Sequence, residues 1–163
     1  VQSISPSMDI QVASNFERIL FYLCDENSEE LRTLMNDLKN IGYFKLSNKQ
    51  LENLKDHFSA SSCNEDETLS IIKNIYNKFN YLIDPHTATG AKPLLNNKYK
   101  KESCFCFETA HPSKFPEAIL KAINQKPQFP KNFKTIENKN EHFSILDNEI
   151  DQVKEFIIEK AQV

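Results

Sequence analysis

The chain has 163 residues and a formal net charge of −3, enough for one domain with a core of its own, and charges of both signs are spread along it. That balance argues against an electrostatic footprint for nucleic acid, so the basic piece Lys98 to Lys101 reads as solvated loop. Two glycines exclude a phosphate-cradling glycine loop, and no apolar run approaches membrane-spanning length, so a soluble cytoplasmic protein with neither nucleic-acid nor membrane partner is expected.

In chain order, Ser3 to Asn15 is polar and extended, with Pro6 fixing one turn. Ser14 and Glu17 have capping-box spacing for a helix whose apolar stripe is Phe16, Ile19, Leu20 and Leu23. Leu31, Leu34, Met35 and Leu38 define a second helix that Gly42 stops, because glycine adopts a left-handed conformation at little cost. Tyr43 to Leu46 is an edge strand or an extended link. Ser47 and Gln50 then form another capping box before a helix with Leu51, Leu54 and Phe58 inside. Residues 28–58 carry charged outer faces and no chemistry, and read as an inserted helical lobe.

After the small polar linker Ser59 to Asn64, Glu65 to Phe79 is the clearest helix: Leu69, Ile72, Tyr76 and Phe79 share a face, and acids fill the first turn. Tyr81 to Ile83 is a short strand running into Asp84-Pro85. His86 and Thr87 stand where the next helix starts, with Thr87 as its N-cap. A helix start that faces a cleft suits an anion such as a carboxylate or phosphate. Read from residues alone, His86 is either a capped structural residue or part of such a site.

Cys104 to Phe107 is a short, wholly apolar run that reads as a strand buried on both faces. It breaks at Glu108-Thr109-Ala110-His111, and from Phe115 the spacing of Ala118, Ile119, Ala122 and Ile123 is helical. A strand, a polar turn and a helix place ligands at the carboxyl end of the strand in an α/β sheet. Cys24, Cys63, Cys104 and Cys106 lack metal-ligand spacing and read as small core residues in a reducing compartment. A proline-marked loop and a surface link through Asn140 lead to a last helix with Ile150, Val153 and Ile157 on its inner face. The fold class is therefore α/β and helix-rich, with a few short strands from an incomplete sheet.

Three stretches carry a resemblance. Thr109 to Pro116 resembles the Thr-Ala-His-Pro-x-Lys-Phe signature of threonine synthases, which use pyridoxal 5'-phosphate. Ser5 to Arg18 resembles that family's Ser-Pro-Ser-Met-Asp-Ile block, and Asp84 to Gly90 resembles its Asp-Pro-His-Thr-Ala-Val-Gly block, with Thr89 in place of the valine. The resemblance implies the carboxyl-terminal part of a fold-type-II, tryptophan synthase β-like enzyme over residues 1–163. The family's amino-terminal part, with the Schiff-base lysine and the loop that holds the cofactor phosphate, has no counterpart here. It implies further that the cofactor is bound mainly by that absent part, which would be this chain's partner, and that no catalytic residue lies in this chain.

The implied reaction converts the substrate O-phospho-L-homoserine and water to L-threonine and phosphate, and the fragment is not expected to act alone. Thr109 is the implied partner of the cofactor's pyridine nitrogen; capping the helix that begins near Pro112 is its competing role. Asp84, His86 and Thr87 are candidates for the wall of the substrate pocket. Met8, Asp9 and Asn15 either approach the site or hold a structural crossing. The alternative to the enzyme is a non-catalytic binding or interaction module on the same scaffold, or an isolated lobe without activity of its own.

Overall fold

The computed structural model describes residues 3–10, 12–95, 103–133 and 139–161. Lys98 to Lys101 and most of the link before Asn140 lie outside the described residues. The chain divides into two units, residues 1–128 and residues 129–163.

The first unit contains α1 (Ser14–Leu23), α2 (Ser28–Ile41), α3 (Asn48–His57), α4 (Glu65–Phe79), α5 (Pro85–Leu95) and α6 (Pro116–Ile123), with short 3-10 turns at Pro6–Met8 and Pro112–Lys114. The second contains a 3-10 turn at Lys131–Phe133 and α7 (Ile150–Ala161).

Capping chemistry sets most of the helix ends. The Asn27 side chain accepts from the amides of Glu29 and Glu30 to start α2, and Gly42, at φ 84°, closes it. Ser47 and Gln50 form the expected capping box on α3, and Asn64 and Glu67 form another on α4. Asn80 and Asn124 close α4 and α6 in the left-handed conformation, which asparagine tolerates because its short amide bonds locally. Ser14 differs from expectation: it is the first helical residue of α1, and Ala13 before it holds the cap position without a side-chain bond.

α4 packs on both α5 and α6. The core between them joins Ile71 and Ile72 to Ile83, Ala88, Ala91, Ile119 and Ala122. The alanines on α5 and α6 let the helices approach, and the isoleucines fill the space between, each contributing about 1.5–3 kcal/mol by burial. α1 contacts both α2 and α3, with Leu20, Cys24 and Leu34 inside. Gln50 is buried there and fully engaged: its amide donates to Glu30 Oε1 at 2.8 Å, and its oxygen accepts from Ser47 N at 2.9 Å. Burial, and then the nearby Glu30 and Asp25 charges, push the Cys24 thiol above its usual range.

Among the described residues no segment forms a strand. Tyr43 to Leu46, Tyr81 to Ile83 and Cys104 to Phe107 have strand-forming composition, but a strand exists only by pairing, and none of the three finds a ladder partner here. Cys104 to Phe107 is not buried on both faces: Phe105 and Phe107 are 85% and 84% exposed. The cysteines of that run are exposed as well, whereas Cys24 is buried as expected. In the second unit α7 forms where the spacing put it, but its apolar face is open, with Ile157 58% exposed. No helix among the described residues is long and apolar enough to cross a membrane.

Candidate functional site

The site is built at the start of α5. Pro85 occupies the first helical position, where its missing N–H is no loss and its fixed φ suits the helix, so the residue before it becomes the cap. That residue is Asp84, wholly buried at 0% exposure, and its carbonyl accepts from Ala88 N at 3.0 Å. One carboxylate oxygen accepts from the His86 amide at 2.9 Å and faces His86 Nδ1 at 2.8 Å. The other accepts from the Thr87 amide at 3.1 Å and from the Thr87 hydroxyl. Asp84, not Thr87, caps the helix, and Thr87 is one of the groups it satisfies. The helix start therefore carries its own anion: the first-turn donors that would have met a substrate carboxylate or phosphate are already taken by Asp84.

His86, 4% exposed, turns its other nitrogen toward the amino-terminal segment, where Nε2 accepts from the Ser7 amide at 3.2 Å. Its ring packs on Phe115, with centroids 4.8 Å apart and planes tilted by 55°. This imidazole touches all three stretches that carry the resemblance: Ser7 from the first, Asp84 from the second and Phe115 from the third. Ser7 and Phe115 were not among the expected site residues. Ser7 contributes a backbone donor, which leaves no mark in a sequence, and Phe115 reads there as the Phe of the Thr-Ala-His-Pro-x-Lys-Phe signature and the first residue of an apolar stripe, with no site role.

The 103–109 run lies alongside α5. Cys106 Sγ reaches the Thr87 carbonyl at 3.7 Å, and a Cβ added at Gly90 would stand only 3.3 Å from that sulfur, so the glycine permits the approach. Although the residue is exposed, partial loss of water around its sulfur raises the Cys106 thiol above its ordinary range, helped by the Asp84 and Glu108 charges. Tyr81 donates its hydroxyl to Glu108, and that bond, with the carboxylate's charge, raises the phenol.

Thr109 follows directly. It is exposed, and its hydroxyl has no hydrogen-bond partner among the described residues. It does not cap the next turn. His111 does so, with Nδ1 accepting from Ser113 N at 3.2 Å and lying 2.7 Å from Ser113 Oγ. Of the expected residues, Asp84, His86 and Thr87 are brought together as one buried and satisfied network, while Thr109 stays open. In the amino-terminal block, Asp9 accepts from Ser3 N at 2.7 Å and from Ser3 Oγ at 2.9 Å, closing that segment on itself. Asn15 accepts from Arg18 on the surface, and Met8 is exposed.

Residues 87–157 match the family model described as threonine synthase, C-terminal. A threonine synthase of Pseudomonas aeruginosa is 33% identical over 95% of this chain and 34% of its own length. The threonine synthase of Schizosaccharomyces pombe is 36% identical over 91% of this chain and 31% of its own length. A crystal structure of PLP-bound threonine synthase from Brucella melitensis superposes with a TM-score of 0.80 at 37% identity, over 100% of this chain and 35% of that one. The chain thus spans about a third of the length of the relatives it matches. Over nearly all of its length and in its fold, the chain is similar to about a third of these threonine synthases, and the family model it matches is the one for their C-terminal part.

Proposed function

We propose that this chain is the carboxyl-terminal part of a pyridoxal-phosphate-dependent lyase that converts O-phospho-L-homoserine and water to L-threonine and phosphate. The observation that carries the reading is the convergence of the three family-like stretches on His86, in a chain whose Thr109 hydroxyl is open. The remaining two thirds of the family's length supply the lysine and the phosphate cradle, and residues 28–58 are an inserted lobe on this part.

The residues present fit one end of the cofactor. A pyridine nitrogen takes a single hydrogen bond, and the Thr109 hydroxyl is exposed and uncommitted. The phosphate end finds no cradle at α5, whose first-turn amides at His86 and Thr87 already serve Asp84. When bound, pyridoxal phosphate supplies the electron sink for charge developing on the substrate carbons. Thr109 gives a hydrogen bond to the ring nitrogen without delivering a full proton, which keeps that sink weaker than a protonated ring. Asp84, His86 and Thr87 back the wall of the substrate pocket: their polar groups are spent on one another, so they hold shape rather than exchange protons with substrate. The exposed Phe105 and Phe107 face lies against the part supplied by the rest of the enzyme.

The test is substitution of Thr109 in the enzyme assembled from this chain and the remaining two thirds, measured by phosphate release from O-phospho-L-homoserine. Thr109→Ser keeps the hydroxyl and is expected to stay within a few-fold of the parent. Thr109→Val keeps the shape and loses the bond, and kcat is expected to fall about 10–100-fold, the equivalent of one strong hydrogen bond in the transition state. Equal activity of the two variants would remove Thr109 from the site.

A further inference from the structure

We infer that His86 is a positioning residue working as a neutral clasp, which holds the Ser3–Asp9 segment onto the start of α5 and lets go when its ring takes up a second proton. The inference concerns the folded chain and does not depend on which reaction the assembled enzyme performs.

The bonding partners assign both ring nitrogens. Asp84 accepts hydrogen bonds from two amides and the Thr87 hydroxyl, so its carboxylate is an acceptor, and Nδ1 at 2.8 Å must carry the hydrogen. A backbone amide can only donate, so Nε2 at 3.2 Å from Ser7 N must present its lone pair. One neutral tautomer satisfies both sides. The imidazolium would set an N–H against the Ser7 N–H, in a place too buried for water to mediate.

The surroundings leave few other charges to counter that clash. Asp84 is the ionised group bonded to the ring. On the amino-terminal segment the nearest acid, Asp9, is held by Ser3. From the 103–109 run the titratable neighbour is the Cys106 thiol, seated on the Thr87 carbonyl, and Glu108 beyond it receives the Tyr81 hydroxyl. From the start of α6 the contact is the Phe115 ring, flanked by the exposed Lys114 and Glu117.

Besides the packing that buries Ser5, the segment has little hydrogen bonding to hold it among the described residues. Its other hydrogen bonds run within Ser3–Asp9, and the Ser5 hydroxyl inside it is buried with no partner. The bond between Ser7 and His86, 79 residues apart, is its one hydrogen bond to the rest of the chain among the described residues. Loss of that bond is therefore a local opening that leaves the α4–α5–α6 core intact.

The test is NMR on the full chain. At pH 8 the ring nitrogens of His86 should report the neutral Nδ1–H form. On acidification the protection factor of the Ser7 amide should fall about tenfold per pH unit once the second proton binds, while the amides of Ile72 and Ile119 hold theirs. His86→Gln places an acceptor where Nε2 stood and should keep Ser7 protected without the pH dependence. His86→Asn mimics only Nδ1 and should leave Ser7 unprotected at every pH. An Nε2–H tautomer, a charged ring at pH 8, or a Ser7 protection factor that ignores pH would overturn the inference, and these are read on the unsubstituted chain whether or not the variants fold.

Discussion

Replacing Asp84 by alanine is expected to lower the stability of the chain by about 3 kcal/mol or more, read as a shift in the urea midpoint with an unchanged slope. The carboxylate caps α5, which alone is worth about 1–2 kcal/mol. Its removal also strands the His86 and Thr87 amides, the imidazole N–H and the Thr87 hydroxyl, all in a buried place. Each buried donor without a partner costs about 1–3 kcal/mol, partly relieved by relaxation and by entering water. Thr87→Val removes one of these groups and should cost about 1 kcal/mol, because the two amide bonds survive. A loss below about 1 kcal/mol for Asp84→Ala would mean that the network is formed by solvent rather than by this side chain.

Ile72→Ala is expected to cost about 3 kcal/mol, from the range of 2–5 found for emptying a fully buried aliphatic site. Ile72 has no exposed surface and lies in the cluster that joins α4 to α5 and α6, where partial collapse of rigid helices leaves a void. Ile119 is equally buried in that cluster, so the two substitutions should not add, and the double variant reads their coupling. Ile157→Ala is the contrast. Its side chain is more than half exposed on α7, and the same chemical change should fall within about 0.5 kcal/mol. Equal losses at Ile72 and Ile157 would show that the buried face of the first unit has been misassigned.

The helices were legible because their signals are local. The apolar spacing and first-turn acids of Glu65–Phe79 delimit α4 with the ends found, and Gly42 and Ser47 mark a stop and a start through their own backbone needs. The strands were not legible in the same way. Phe105 and Phe107 have strand composition, but pairing and burial depend on neighbours, and the chain spans about a third of its relatives' length. The aromatic and the cysteine faces of that run are both exposed here. At α5, the hydroxyl of Thr87 drew attention from the better signal beside it, an aspartate directly before a helix-starting proline.

The candidate site was legible as positions and not as contacts. The resemblance singled out the stretches around Ser7, His86 and Thr109, but the bond from Ser7 to His86 joins residues 79 apart, and no spacing rule reaches that far. The same limit hid the division of roles. Asp84, His86 and Thr87 look like free polar groups in the sequence, whereas burial makes them partners of one another and leaves Thr109 as the uncommitted one.

Phosphate release from O-phospho-L-homoserine tests the central claim most directly. It would be measured with this chain alone and with the remaining two thirds of the family's length supplied as a folded partner, each with pyridoxal phosphate. Activity in the combined sample and none in the separate chains is the expected result. Activity of this chain alone would place the chemistry in residues assigned here to structure, and inactivity of the combined sample with cofactor bound would make the chain a non-catalytic module on a threonine synthase scaffold.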